Sequence, residues 1–383
     1  MHLKYGCNPH QEFASAEALS GTPVTLLNGQ PSLINLLDAL NAWPLVRELR
    51  QTLGLPAAAS FKHVSPSGAA VAVPLTPDLA RAYEVTDVEL SPLALAYARA
   101  RGADPKCSFG DFVALSEPVD ELTAEYLKGV VSDGVIAPGY APRALETLRA
   151  KKGGGFIVLE VDPSFEPPAR ETREVFGMRL TQDRNTHVFG EADLKDTVCG
   201  ALTPEARRDL VLGYTTLKYT QSNSVGYAAG GQMIGIGAGQ QSRVDCTKLA
   251  GGKADLWQLR RHPKVLGLRF GSQTKRQDRI NWRVRYIEGD LTRFEERALA
   301  EALDGQFDPL TEAEKREFLG TVSGVSLVSD GFIPFRDNID HAQRHGVSFI
   351  AQPGGSTRDA DVREACVEYG ITMVHTHVRM FHH

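Results

Sequence analysis

The stretch Ala57-Ala-Ala-Ser-Phe-Lys-His-Val-Ser-Pro-Ser-Gly-Ala-Ala70 sets the reading of the whole chain. Small and aromatic apolar residues run up to Lys62 and His63, and the polar segment Ser65-Pro66-Ser67-Gly68 follows at once. This pattern predicts a buried strand that delivers two titratable side chains to a sheet edge, with Pro and Gly bending the chain away. A partner strand is expected over residues 69–73. A cation beside an imidazole lowers the imidazole pKa, which keeps the ring neutral and basic near pH 7. The alternative is an exposed strand end with two solvated polar residues.

Leu33, Leu36, Leu37, Leu40, Val46 and Leu49 recur at helical spacing. They predict a helix over residues 33–53 that Pro44 kinks or divides and that Gly54 and Pro56 stop. Downstream, helices are expected over 91–101, 121–128 and 142–151, with strands over 111–115, 130–138 and 156–161. Strands alternating with helices predict an α/β layered domain. Residues 162–200 are the most polar and least regular, and are expected to connect two lobes. A helix over 205–219 follows, then two strands (225–228 and 232–236) flanking the hairpin signal Ala229-Gly230-Gly231, then helix from about residue 240.

Two fragments recur in the same order. Val131-Ser-Asp-Gly-Val-Ile136 returns as Val328-Ser-Asp-Gly-Phe-Ile333, and Lys62-His-Val-Ser-Pro-Ser67 faintly resembles Lys218-Tyr-Thr-Gln-Ser-Asn223. Lys62 and Asp133 are 71 positions apart and Lys218 and Asp330 are 112 apart, leaving 41 extra residues in the second half. The expectation is two similarly folded lobes, residues 1–197 and 198–383, with a helical insertion at about 257–319 and a site at their junction.

At 383 residues, two or three domains are expected. The net charge of −5, from 42 basic and 47 acidic residues, argues against a non-specific nucleic-acid binder. No run approaches the roughly 18 apolar residues of a membrane span, and residues 1–6 lack an apolar signal core. Five cysteines are scattered singly without a CxxC, against a disulfide framework or a cysteine-built zinc site. A cytoplasmic protein is expected.

Ile234-Gly-Ile-Gly-Ala-Gly-Gln240 lacks the third glycine of a dinucleotide fingerprint, so a glycine-lined strand passing close to a ligand is the preferred reading. Ser222-Asn223-Ser224 is either a donor and acceptor cluster for a ligand or a capping turn. Arg243 and Arg379 suit a phosphate or carboxylate, and a strand over 371–374 would tie down the carboxyl terminus. His375 and His377 lack supporting ligands, so no metal is expected.

Together these residues resemble the AICAR transformylase family, the formyltransferase portion of the bifunctional purine-biosynthesis protein. The resemblance is carried by Lys4-Tyr-Gly6, Asn8-Pro-His-Gln11, residues 59–66, Ser108-Phe-Gly-Asp-Phe-Val-Ala-Leu-Ser116 and Val131-Ser-Asp-Gly-Val-Ile-Ala-Pro-Gly139. Lys218-Tyr-Thr-Gln-Ser-Asn-Ser224, residues 234–243, Pro334-Phe-Arg-Asp-Asn338 and Phe381-His-His383 carry it through the second half.

The resemblance implies two cytidine-deaminase-like three-layer α/β lobes without zinc, and a homodimer with active sites at the subunit interface. It implies that the 5-amino group of AICAR attacks the formyl carbon of 10-formyltetrahydrofolate, giving formyl-AICAR and tetrahydrofolate. His63 then looks like the general base, Lys62 like the cation that stabilises developing charge and depresses the His63 pKa, and Asn223 like the group that orients His63 and the amine. Lys4, Tyr5, Gly110, Asp133, Arg243 and Arg379 would hold AICAR, with Arg379 on the phosphate. Val244, Asn281, Phe332, Asp337, Ser356 and Thr357 would border the folate, with Phe332 near the pterin and Asp337 on its ring nitrogens. A monovalent cation such as potassium is a possible further requirement. Lys4 stands where the family usually has arginine, turning a bidentate fork into a point charge. The chain starts just before the transformylase motif, so no IMP cyclohydrolase domain is expected and a separate cyclohydrolase would act next. The rival readings are a non-catalytic AICAR- or folate-binding regulator and formyl transfer from a different donor.

Overall fold

In the computed structural model, which describes residues 1–303 and 306–383, six strands form a first mixed sheet. They are β1 (Val24–Asn28), β2 (Ala57–Lys62), β3 (Ser65–Val71), β4 (Asp111–Leu115), β5 (Ser132–Ala137) and β6 (Ile157–Val161), in the order β1-β6-β5-β4-β2-β3. A separate hairpin, β7 (Arg170–Val175) and β8 (Met178–Asp183), follows. The second sheet contains β9 (Asp196–Cys199), β10 (Val225–Ala228), β11 (Met233–Gly237), β12 (Val325–Ser329), β13 (Val347–Gln352) and β14 (Thr372–His375), in the order β11-β10-β12-β13-β14-β9. Read from the hairpin edge, both sheets have the same pairing senses: antiparallel, antiparallel, parallel, parallel, antiparallel.

The α/β class and the two-lobe layout follow the sequence, but the fragments that suggested the repeat are not equivalent. Topology matches β4 to β12, whereas Val131–Ile136 runs into β5 and Val328–Ile333 leaves the end of β12. Lys62 ends β2, whereas Lys218 caps a helix before β10. The lobes resemble each other in backbone order, and these short matches are incidental to it. Counted between equivalent strands, 39 residues join β3 to β4 and 87 join β11 to β12. The longer connection holds the helices Pro263–Leu266, Arg276–Glu288, Arg293–Ala302 and Glu312–Leu319. These gather their own apolar cluster around Leu259, Val265, Tyr286, Ile287 and Leu299. Residues 304 and 305 of the expected insertion lie outside the described residues.

The Leu33–Leu53 helix has the predicted bounds. Ser32 caps it by a reciprocal capping box with Asn35, and Gly54 closes it in the left-handed conformation at φ 69°. Pro44 does not divide it: Ala39, Ala42 and Trp43 before the proline and Leu45, Val46 and Leu49 after it are all buried. Packing on both sides offsets the lost backbone hydrogen bond. The region 162–200 is more ordered than expected, since it supplies the β7–β8 hairpin and the edge strand β9.

The first hairpin also turns earlier than expected. His63 and Val64, at φ 54° and 58°, make a two-residue turn, and Lys62 pairs directly with Ser65. Residues 65–68 are therefore strand. Gly68 is required there by packing, because a Cβ at that position would lie 2.1 Å from the Ala100 carbonyl oxygen of the Pro92–Ala103 helix. Pro66, which has no N–H to donate, sits beside the register shift at Ser60/Phe61.

The lobes share a core. One buried apolar cluster runs from Ala58, Tyr97 and Val113 through Tyr227, Ile234 and Trp257 to Ile350. The edges of β3 and β11 meet where the Val71 N–H donates to the Gly231 carbonyl at 2.9 Å. Among the described residues no helix is long and apolar enough to cross a membrane.

Candidate active site

Because β2 is antiparallel to β4, its last residues come out beside the beginning of β4. Lys62 Nζ donates to the Phe109 carbonyl at 2.6 Å, and the His63 ring is exposed at the tip of the turn. The Val64 N–H donates to Asp38 Oδ1 at 2.6 Å. Asp38 is buried in the Leu33–Leu53 helix, and its carboxyl is pushed up to about 6 by burial, opposed by the Val64 N–H and by His63.

Beneath the turn lies a buried polar network centred on Asp111. Its carboxylate accepts from Ser60 Oγ at 2.6 Å, Tyr97 OH at 3.0 Å and Arg101 Nη1 at 3.0 Å. Burial pushes the Asp111 carboxyl up, and these three donors resist the shift. Arg101 also donates to the Ser108 carbonyl at 2.6 Å, fixing the loop that presents Phe109 to Lys62. Gly110 has φ 75° and open space where a Cβ would point, and its N–H donates to the Val131 carbonyl. Asp133 accepts from Lys152 Nζ at 2.6 Å. Lys4 and Tyr5 are anchored at the start of the Leu33–Leu53 helix: Lys4 N–H donates to Pro31 O and Leu33 N–H to Tyr5 O. The Lys4 ammonium lies 5.8 Å from the centre of the Tyr5 ring.

The second group surrounds the C-terminal end of β12. Asp330, fully buried, accepts from Ser222 Oγ at 2.6 Å, Ser224 N–H at 2.8 Å, Ser224 Oγ at 2.9 Å and Arg243 Nη1. Arg243 opens the Arg243–Leu259 helix, and its other amino group donates to Asn223 Oδ1 at 2.9 Å. Asn223 Nδ2 donates to the Gln241 carbonyl at 3.2 Å. Arg243 is thus engaged within its own lobe, while Arg379 is exposed with its guanidinium 4.5 Å from the centre of the Phe381 ring. The carboxyl-terminal tail is tied down: Met380 N–H donates to Asp330 O, His382 N–H to Ser222 Oγ, and Ser222 N–H to His382 O.

Of the residues expected beside the folate, Phe332 and Asp337 are exposed after β12, and Ser356 and Thr357 follow β13. These four follow the carboxyl ends of two adjacent parallel strands, where α/β sheets open ligand crevices. Asp337 also lines an open depression with Phe335, Arg336, Arg358, Asp361 and Glu364. Val244 is half-buried next to Arg243. Asn281 stands apart in the insertion, where it accepts from Gln277, which in turn accepts from Arg101 at 3.4 Å. The glycines of β11 serve packing and not a ligand: a Cβ on Gly235 would lie 2.1 Å from Ala250 O, and one on Gly237 2.5 Å from Cys246 O. His377 pairs with Asp196, His375 with Gln352, and no group of three metal-ligating side chains occurs among the described residues.

Within one chain the two groups approach without joining. Gln221 N–H donates to Ser65 Oγ at 3.4 Å, two residues from Asn223 and from His63 respectively. Among the described residues no hydrogen bond or ion pair links Lys62 or His63 to Asn223, Arg243 or Arg379. Sequence reasoning missed the supporting carboxylates Asp38 and Asp111 and gave Asp330 no role. Asp38 had a legible signal, since it shares a helical stripe with the buried Ala42, Leu45 and Leu49 and is a charge where an apolar residue belongs.

A family model described as "AICARFT/IMPCHase bienzyme" matches residues 1–253. Proteins named "Bifunctional purine biosynthesis protein PurH" are similar over the full chain. That of Roseobacter denitrificans is 32% identical over 388 residues, and that of Magnetococcus marinus 30% over 389. Another, from a Ruegeria species, is 30% identical over 386 residues. Each alignment covers 100% of this chain and 59% of the relative, so the chain spans about three-fifths of the length of these relatives.

Proposed function

This chain belongs to the AICARFT/IMPCHase bienzyme family, and from that premise we propose that it transfers the formyl group of 10-formyltetrahydrofolate to the 5-amino group of AICAR. The observation that carries the reading is the His63-Val64 turn, which exposes an imidazole one residue after Lys62, whose ammonium is fixed on the Phe109 carbonyl. His63 takes the amine proton as the nitrogen attacks the formyl carbon, Lys62 stabilises the oxyanion that develops, and Asn223 orients the amine. Gly110 and Asp133 border AICAR on the first sheet with Lys4 and Tyr5, and Arg379 meets its phosphate. Arg243 acts through Asn223. The folate lies against Phe332, Asp337, Ser356, Thr357 and Val244, with Asn281 at its far side.

A homodimer completes this site. Its support is the separation of the two residue groups within one chain, together with an arm that has no cover of its own. Hairpin β7–β8 has Phe176, Met178 and Leu180 largely exposed, and an isolated two-stranded ribbon is marginal in water. We take the lobes, divided near residue 197, to be cytidine-deaminase-like but zinc-free, since the chain has no PCxxC. The Ser222–Ser224–Asp330 cluster does not suit potassium, because Arg243 already neutralises Asp330 and its carboxylate accepts from Ser222 and Ser224. A cytoplasmic location agrees with five cysteines that form no disulfide.

The test is turnover. Purified protein with AICAR and 10-formyltetrahydrofolate should release tetrahydrofolate; no turnover at saturating potassium rejects the assignment, and binding without turnover favours the regulator.

A further inference from the structure

We propose that Asp38 is a positioning residue for His63, holding the His63-Val64 turn in the backbone conformation that presents the imidazole to substrate. The inference rests on the reading of His63 as the general base. Two consecutive residues with positive φ are the backbone of a type I′ hairpin turn, which favours Asn-Gly. Here the pair is His-Val, and a β-branched residue at φ 58° is a marked outlier. Such a conformation persists only where its surroundings impose it, and strained residues of this kind gather at functional sites.

What imposes it here is specific. Among the described residues, the bond from the Val64 N–H to Asp38 Oδ1 is the one hydrogen bond that ties the two turn residues to the rest of the molecule. A buried carboxylate is a costly anchor, since an amide or hydroxyl would also accept from an N–H. Its added property is charge. The ionisable groups facing Asp38 are His63 in the turn, Asp111 at the start of β4 and Asp133 in β5. Asp111 is paired with Arg101 and Asp133 with Lys152, which leaves His63 as the facing group in no other ion pair among the described residues. When His63 takes a proton, the Asp38 carboxylate stabilises the imidazolium through the same element that fixes its direction.

The experiment compares kcat against pH for wild type, Asp38→Ala, Asp38→Asn and His63→Ala, all as the full chain. Asp38→Ala loses the anchor, and a displaced base should cost about 10- to 100-fold in kcat. Asp38→Asn keeps an acceptor for the Val64 N–H and should recover part of that loss at pH 7, leaving a deficit that belongs to the missing charge. It should also remove the part of the acid-side pH dependence that follows the Asp38 carboxyl, which burial pushes up to about 6. An Asp38→Asn profile superimposable on wild type overturns the inference even if Asp38→Ala fails to fold, as does an Asp38→Ala enzyme of normal kcat. His63→Ala with a normal rate sinks the base assignment instead, and this inference with it.

Discussion

Arg243 and Asp330 form a buried ion pair between the first turn of a helix and the end of β12, and Arg243 directs its second amino group to Asn223. One side chain therefore neutralises a fully buried carboxylate and sets the direction of a candidate active-site amide. A guanidinium does both because its planar fork presents two separate donors.

Removing one member of such a pair leaves an uncompensated charge. Arg243→Ala should therefore destabilise the fold by about 3–5 kcal/mol, read from urea unfolding. Arg243→Lys keeps a charge for Asp330 but cannot also reach Asn223. It should fold with a smaller loss and show a kcat reduced more than its stability. Equal, small effects of both variants would separate Asn223 from Arg243.

Substitutions at the turn address the chemistry directly. Lys62→Ala and His63→Ala should each lower kcat by about 10²- to 10⁴-fold, the range typical of a positioned acid–base group. Both side chains are partly or fully exposed, so thermal unfolding should change little. Near-normal rates in either variant remove that residue from the mechanism.

The sequence exposed much of this fold because local signals and packing agree in it. The strands 111–115 and 225–228 and the helices 33–53 and 121–128 have the bounds that periodicity and caps predict. It failed where a distant contact decides. Gly68 looked like a turn residue and is in a strand because Ala100 leaves no room for a Cβ. Gly235 and Gly237 suggested a ligand and serve the helix packed on them. At the site, Lys62 and His63 were legible as polar residues ending an apolar run. Asp111 was not, because nothing local announces that Ser60, Tyr97 and Arg101 converge on it from two other elements.

The β7–β8 arm offers a test of assembly. Phe176 is fully exposed at its tip, and burying a phenylalanine side chain is worth about 1.5–3 kcal/mol. If the arm lies on a second subunit, Phe176→Asp should weaken the dimer at least about tenfold, since about 1.4 kcal/mol is tenfold in Kd. Sedimentation equilibrium measures this, and specific activity should fall on dilution in parallel. A dimer constant equal to wild type removes the arm from the interface.

Asp38 makes a prediction about stability opposite in sign to its effect on rate. Its carboxyl is raised from the ordinary aspartate value of 3.8 to about 6, so the folded state binds this proton more tightly than the unfolded chain does. The stability it contributes is then fully present below about pH 4 and is lost as pH rises through about 6. A rise of that size corresponds to roughly 3 kcal/mol, which the wild type forgoes at pH 7 by keeping the group ionised. Asp38→Asn, uncharged at every pH, escapes that loss. Urea unfolding should find it more stable than wild type by up to about 3 kcal/mol at pH 7, with the difference shrinking towards zero near pH 4. An anchor retained for function at the expense of stability requires this crossing of effects. Parallel stability curves for the two proteins between about pH 4 and 7 would show that the Asp38 charge costs the fold nothing.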